Sequence, residues 1–287
     1  MTISSPAAGA PRPQRLILFG RVIRRWQPAL SAERLGAIDG ITEFMRIKRW
    51  LRMWLLPRAE RRRSIIMSVT EPAMRRCPRD GWMLIPSRGA LDVLGNKLRF
   101  ARYVEEEGLT DYVPRRHVDP ELAPYPAVLK LERGSAGSAV AVVRSPRELN
   151  AARRRMPRSR FRRTLLQELV EGEDHVAHAI CRDGRLVWHC TYDYELEPGD
   201  VVQTWANVIG WRRGRLSADE VAILERFLVP LQFDGPIAVD FRRRADGRLC
   251  VMEINPRFGG SLMKPEHAED LEAALAAIVA HAKPPPG

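Results

Sequence analysis

The run PIAVDFRRRADGRLCVMEIN, residues 236–255, constrains this chain more than any other stretch. Two strand-like segments flank Asp246-Gly247, a pair that tolerates the positive φ of a tight hairpin turn. A two-residue turn pairs Ala245 with Arg248 and sets Asp240 directly opposite Glu253. Opposed side chains on one sheet face have Cβ atoms ~4.5–5.5 Å apart, and Asn255, two residues beyond Glu253, shares their face. The continuation VMEINPRFGGS opens like a buried strand, with Val251, Met252 and Ile254, yet places Glu253, Asn255 and Arg257 at every second position. Two facing carboxylates repel unless a cation lies between them. Mg2+ takes hard oxygen donors and shares one or two carboxylates with the phosphates of a nucleotide. The competing reading is a solvated outer face on which Asp240 and Glu253 bond to nearby arginines such as Arg242 and Arg257. The hairpin alone leaves both open.

Composition narrows the setting. A chain of 287 residues with 45% apolar and 29% charged residues has the material for one compound domain or two small ones. No run of 18 apolar residues occurs, so no transmembrane segment is expected, and MTISSPAAGAPRPQ lacks the pattern of a secretory signal. Cys77, Cys181, Cys190 and Cys250 are scattered without CxxC spacing, which argues against zinc or a disulfide framework and points to a cytoplasmic protein. The net charge of +12 is uneven: residues 164–287 hold 13 Lys+Arg against 20 Asp+Glu, so the basic excess belongs to the N-terminal half. An acidic C-terminal half suits a part that holds cations.

Along the chain, residues 1–14 read as a disordered tail and RLILFG as a strand. Residues 41–63, ITEFMRIKRWLRMWLLPRAERRR, carry apolar residues mostly at helical spacing and predict one basic amphipathic helix, ended by Pro57. SIIMSV and GWMLIP predict two strands, and Leu91–Glu107 one helix. PAVLKLE and AVAVV predict strands flanking a Gly/Ser loop, with a helix over Pro146–Arg155 and a strand in LLQELVEG. VAHAICRDGRLVWHC predicts a hairpin around Asp183-Gly184, which sets His178 opposite His189; ordinary packing is the preferred reading of that pair, with substrate contact second. Trp188 and Trp205 read as core or pocket wall. Helices are expected over Ala218–Leu228 and Glu266–Ala282.

Two weaker signals concern phosphate and nucleoside. In RGSAGS, Gly134, Ser135, Gly137 and Ser138 leave backbone N–H groups free to approach phosphate oxygens, and Lys130 just before the loop can neutralise their charge. An ordinary flexible hairpin loop is the bland alternative, and no Walker A pattern follows. In LLQELVEGED, the backbone from Glu168 to Val170 can offer hydrogen bonds to an adenine edge and Asp174 can accept from ribose; an exposed acidic turn is the alternative.

Taken in order, VLKLERGSAGS, LLQELVEGED, AVDFR, DGR and MEINPRFGGS resemble the ATP-grasp superfamily, and more narrowly its carboxylate–amine ligases of the carbamoyl-phosphate-synthase-like branch. The resemblance runs from about residue 85 to 282 and includes IPSRGALDVLGNKLRFARYVEEEGL, similar to the segment in which a lysine contacts the nucleotide. It implies an α/β fold of α+β subdomains: a reduced N-terminal region over 15–90, then an ATP-grasp domain over 91–287, with a nucleotide-lid subdomain at 115–170 and a catalytic subdomain at 171–282. It implies that Lys97 and Lys130 contact ATP phosphates, that Gly134 to Ser138 form the lid loop, and that Gln167, Glu168, Leu169 and Val170 line the adenine pocket. Asp174, where the family has Glu, holds the ribose, with Glu173 as the neighbouring candidate. Asp240, Glu253 and Asn255 bind one or two Mg2+, with Mn2+ as a substitute, and Arg257 binds the substrate carboxylate or the acyl phosphate. The departure is at the N-terminus, where only residues 1–85 stand in for a longer Rossmann-like lobe.

The activity so implied is an ADP-forming ligase joining an amino-acid or small-peptide carboxylate to an amine, in specialised metabolism. The alternative is a nucleotide-sensing protein on a non-catalytic grasp fold that binds RNA or a carrier protein. Nine arginines and one acid in residues 144–163 read as a solvated face or as a dock for a carrier protein or peptide. The basic stretch 41–63 reads as a domain or dimer interface, with an anionic membrane surface as the alternative, and a homodimer is expected.

Overall fold

The structure is a computed structural model that describes residues 12–133, 140–156, 163–200 and 207–286. Gly134, Ser135, Gly137, Ser138, Trp205, most of the N-terminal tail and residues 157–162 of the basic stretch lie outside the described residues.

The N-terminal part begins with β1 (Arg15–Phe19), α1 (Ala32–Gly36) and β2 (Glu43–Ile47), followed by α2 (Trp50–Leu55), α3 (Arg58–Arg62), β3 (Ser64–Met67) and α4 (Glu71–Arg76). Its three strands form a parallel sheet in the order β2-β1-β3. One helix over 41–63 is therefore incorrect: the segment is a strand and two short helices. Leu16, Ile17 and Leu18 of β1 are fully buried, and a strand buried on both faces needs hydrogen-bonding neighbours on both sides. Glu43–Ile47 supplies one of them, and this pairing overrides a helical spacing that short apolar runs cannot distinguish. Pro57 acts as expected, since α2 stops at Leu55 and Leu56 is extended before it. GWMLIP forms only isolated bridges, Ile65 with Trp82 and Met83 with Lys283, rather than a strand.

Two helices follow, α5 (Arg88–Leu94) and α6 (Lys97–Glu106), where the sequence predicts one. The break is chemical. Gly95 caps α5, and Asn96 turns extended and caps α6, its Oδ1 accepting from the N–H groups of Leu98 (3.0 Å) and Arg99 (3.1 Å). The buried Asn96 amide also donates to Glu132 Oε1 at 2.6 Å, so the first residue of α6, Lys97, is tethered in place.

The next sheet contains β4 (Ala127–Leu131), β5 (Val140–Val143) and, after α7 (Pro146–Arg155), β6 (Thr164–Glu168), all antiparallel in the order β5-β4-β6. Ala127, Leu129, Val143 and Leu166 pack against Leu149 of α7. The largest sheet, β11-β10-β7-β8-β9, is built from β7 (His175–Arg182), β8 (Arg185–Leu196), β9 (Val208–Gly214), β10 (Gly235–Arg243) and β11 (Leu249–Asn255), with α8 (Ala218–Leu228) between β9 and β10 and α9 (Ala268–His281) at the end. One face buries Ala177, Ala179, Ile237, Val239 and Phe241 against Leu224, Phe227 and Leu228 of α8. The other packs on α9 and on Leu16, Leu18, Ile65 and Met67 of the N-terminal sheet. That shared core, with Val176, Ile180, Tyr192, Tyr194 and Ala238, fixes the N-terminal sheet against β7, β8 and β10. Among the described residues no helix is long and apolar enough to cross a membrane.

Both predicted hairpins form, and both carry an irregularity that turn chemistry alone does not reveal. In β7–β8 the turn holds Asp183 at φ 54° and Gly184 at φ 78°, but the register shifts between Ile180 and Cys181. His178 consequently faces Cys190, and His189 faces Ala179, so the expected His178–His189 opposition is incorrect.

Replacing Asn96 with Ala removes the α6 cap from the N–H groups of Leu98 and Arg99. The expected loss is about 1–2 kcal/mol, read as a lower urea midpoint with unchanged slope; an unchanged midpoint would refute the tether.

Candidate active site

The β10–β11 hairpin places the central pair by two compensating irregularities. Its turn is not the expected two-residue type. Gly247 N–H donates to Arg244 O at 2.8 Å and Arg244 N–H to Arg248 O at 2.9 Å, giving a three-residue loop with only Gly247, at φ 80°, in the left-handed region. Carried along the strands, that register would put Glu253 opposite Val239 and turn it into the core. A bulge at Met252 shifts the register between Phe241 and Asp240. Beyond it Asp240 faces Glu253 and Ala238 faces Asn255, as expected, while Val251 and Leu249 on the turn side stay in the core.

Asp240, Glu253, Asn255 and Arg257 line one cleft of about 1140 Å³ together with Lys97, Lys130, Leu169 and Asp174. Lys97 Nζ donates to Glu253 Oε1 at 2.8 Å. The buried Lys130 Nζ lies 3.4 Å from Met252 O, and burial, then the neighbouring Lys97, holds its pKa below the ordinary lysine value against the pull of Glu253 and Asp240. Asn255 Nδ2 donates to Asp240 Oδ2 at 3.2 Å, and Arg257 Nη2 to Asn255 Oδ1 at 3.2 Å. Arg257 Nε lies 3.7 Å from Glu71 Oε1, a residue of the N-terminal part. The arginine-bonded solvated face is thus not what forms: Arg242 is turned to Asp174 instead.

The electrostatics of the acid pair favour a cation. Burial first, then Glu253, pushes the Asp240 carboxyl up to about 7. Two facing carboxylates and an amide oxygen are hard donors of the kind magnesium takes. Among the described residues no three His, Cys, Asp or Glu side chains cluster to hold a metal alone. The donor set therefore fits an ion that shares its shell with phosphate oxygens and water.

The remaining expected residues divide. Leu169 lines the main cleft with Val128, Val140 and Met252, a partly apolar wall. Gln167 and Glu168 line a neighbouring cavity of about 440 Å³, which shares Lys97, Lys130, Met252 and Glu253 with the cleft. Gln167 is buried with its Oε1 unpartnered, and Glu168 is ion-paired to Arg244. Asp174 is gripped by Arg242, Nε to Oδ1 at 2.8 Å and Nη2 to Oδ2 at 2.7 Å, while Arg242 Nη1 donates to Val170 O. Glu173 is exposed, paired to Arg212 at 3.3 Å, and lines neither cavity.

Several lining residues carried no signal in the sequence. Ser261 Oγ lies 2.8 Å from His178 Nε2 and 3.0 Å from the hydroxyl of Tyr194. Gly259 leaves room for that histidine, since a Cβ there would come within 2.3 Å of its Cε1. Burial pushes His178 down to about 3, so it packs neutral under the PRFGGS segment. Arg21 and Arg49 reach the cleft from the segments after β1 and β2, and Glu71 from the first turn of α4 after β3. Only reading residues 43–47 as a strand would have pointed to them.

The ATP-grasp domain family matches residues 94–261. Among solved structures, an L-amino acid ligase from Bacillus licheniformis superposes with TM-score 0.61 and 16% identity, covering 94% of this chain and 75% of that one. An ADP complex of an N5-carboxyaminoimidazole ribonucleotide synthetase gives TM-score 0.65 at 15% identity, over 97% and 81%. A D-alanine–D-alanine ligase from Bacillus anthracis gives 0.61 at 15% identity, over 94% and 97%. At these identities the likeness establishes the fold. A search of curated protein sequences found no match.

The raised Asp240 carboxyl has a signed consequence. Its folded pKa, about 7, lies above the ordinary 3.8, so the folded state binds the extra proton and stability falls as pH rises from about 4 to about 7. In EDTA at pH 8, Asp240→Asn should unfold at higher denaturant than wild type, by roughly 1–4 kcal/mol, with the advantage vanishing near pH 4. Equal stability at both pH values would show that the pair is not strained.

Proposed function

Because the chain belongs to the ATP-grasp family, we propose that it is an ADP-forming ligase that joins a carboxylate to an amine through an acyl phosphate. The observation that supports this most is the convergence of Lys97, Lys130, Asp240, Glu253, Asn255 and Arg257 on one cleft, from α6, β4, β10, β11 and the loop after β11.

In this reading substrate ATP lies between the β5-β4-β6 sheet, which acts as its lid, and the β10–β11 hairpin. Val128, Leu169 and Met252 supply apolar walls for adenine, with Glu168 and Val170 as backbone contacts. Asp174, held in one orientation by Arg242, presents its carboxylate edge to ribose. Lys97 and Lys130 neutralise phosphate charge, and Lys97 leaves Glu253 when the phosphates arrive. Asp240, Glu253 and Asn255 would hold magnesium, which when bound supplies charge neutralisation at the phosphates.

Phosphoryl transfer asks the protein mainly for positioning and charge stabilisation. Arg257 is suited to the substrate carboxylate because its planar guanidinium binds in a fork. Its present bonds to Asn255 and Phe258 O aim the group along the cleft. A carboxylate oxygen held there attacks the γ-phosphorus, and ADP leaves. The amine nitrogen then adds to the acyl carbon, inorganic phosphate leaves, and the nitrogen gives up its proton. The oxyanion formed as the amine adds is stabilised by the same guanidinium.

Glu253→Gln should abolish carboxylate- and amine-dependent ADP release while keeping the wild-type circular dichroism and a cooperative unfolding transition. Turnover at the wild-type rate would end the ligase reading. Arg257→Lys should raise KM for the carboxylate by about tenfold or more, the scale of a lost charge-assisted bond, and leave KM for ATP within error; an equal rise in both would move Arg257 to the nucleotide.

A further inference from the structure

The part of the cleft that the nucleotide machinery does not use is its N-terminal wall. The parallel sheet has strand order β2-β1-β3, so the chain leaves β1 toward one edge and returns to the other. In open sheets of this kind, ligands bind beyond the carboxyl ends of the strands, where the order reverses. All three strands end toward the cleft. Arg21 follows β1, Lys48 and Arg49 follow β2, and α4, which carries Arg75 and Arg76, follows β3; all line the cleft.

The charges on this wall are lopsided for a reason beyond overall composition. The N-terminal part has carboxylates, but they are spent elsewhere. Glu43 and Glu60 pair with Arg15 and Asp80 with Arg61, while Arg75 of the wall is held by Asp92 of α5. The one carboxylate lining the wall, Glu71, faces Arg257. Arg21, Lys48, Arg49 and Arg76 are exposed and lack a carboxylate partner among the described residues. Like charges gathered along a cleft wall repel one another and raise the local concentration of anions. Trp50, 57% exposed, lies beside Arg49 on the same wall.

Resting on the ligase reading of this cleft, we infer that its carboxylate substrate carries a second anionic group, a phosphate or a further carboxylate, which binds Arg21, Lys48, Arg49 and Arg76. The reacting carboxylate sits at Arg257 and the second anion at the ends of the parallel strands. Glu71, 3.7 Å from Arg257 on the cleft lining, disfavours the second anion at the Arg257 subsite.

The test uses the full chain with MgADP present, and pairs of compounds that differ by one anionic group: phosphoserine and serine, glutamate and glutamine, aspartate and asparagine. Binding is followed by calorimetry and by tryptophan fluorescence, which Trp50 should report. The anionic member of at least one pair should bind about tenfold tighter or more than its neutral partner, the size of one charge-assisted hydrogen bond. Preference in the phosphoserine pair alone assigns a phosphate, and preference in the dicarboxylates alone a carboxylate. The double variant R49Q/R76Q, with an unchanged unfolding midpoint, should erase the difference. Equal or undetectable binding of both members in every pair overturns the inference, as does a preference that survives in the double variant. ADP release from MgATP is measured in parallel: anionic preference without release overturns the ligase reading and leaves this subsite standing.

Discussion

The structure depends on how Asp240 comes to face Glu253. Two acids cannot be set side by side in a buried sheet without cost, and here burial and mutual repulsion drive Asp240 up to about 7. The chain accepts this through a bulge at Met252, without which Glu253 would point at the core. Everything that reaches the cleft is arranged around that pair. Lys97 comes to it at the start of a helix whose cap is Asn96, Lys130 comes from a neighbouring sheet, and Arg257 is held through Asn255.

The surrounding architecture serves the same end. One face of the large sheet is sealed by α8, and the other shares a core with α9 and the small parallel sheet. This leaves the even-numbered side of β10, with Asp240 and Arg242, as the floor of the cleft. The parallel sheet supplies the opposite wall. Glu71 crosses to Arg257 and links the two parts by charge as well as by packing.

Much of this was legible from residues alone where a local rule was strong. Asp183-Gly184 and Asp246-Gly247 both make hairpins, and Ser217 with Glu220 forms the capping box that starts α8 at Ala218. For Asp240 and Glu253 the expected two-residue turn is off by one residue, and the bulge cancels that error, so the two face each other as the sequence implies. In β7–β8 the two-residue turn forms as expected, pairing Arg182 with Arg185, but a bulge past Cys181 shifts the register with nothing to cancel it, and the predicted histidine pair does not exist. The segment 41–63 failed for another reason. Its apolar spacing suits a helix, but β1 is buried on both faces and takes residues 43–47 as a neighbour. Pairing partners distant in sequence decide such cases, and they are not visible in a local period. Without that strand nothing in the local sequence places Lys48 and Arg49 on the wall of the cleft.

In the proposed function the facing acids bind a cation shared with a nucleotide. The direct measurement is the affinity of the protein for ADP, by calorimetry, with Mg2+ and then with EDTA. The account predicts that Mg2+ tightens binding by about tenfold or more in the wild type. It predicts no such gain in a folded Asp240→Asn, Glu253→Gln double variant. The same gain in both proteins would contradict it.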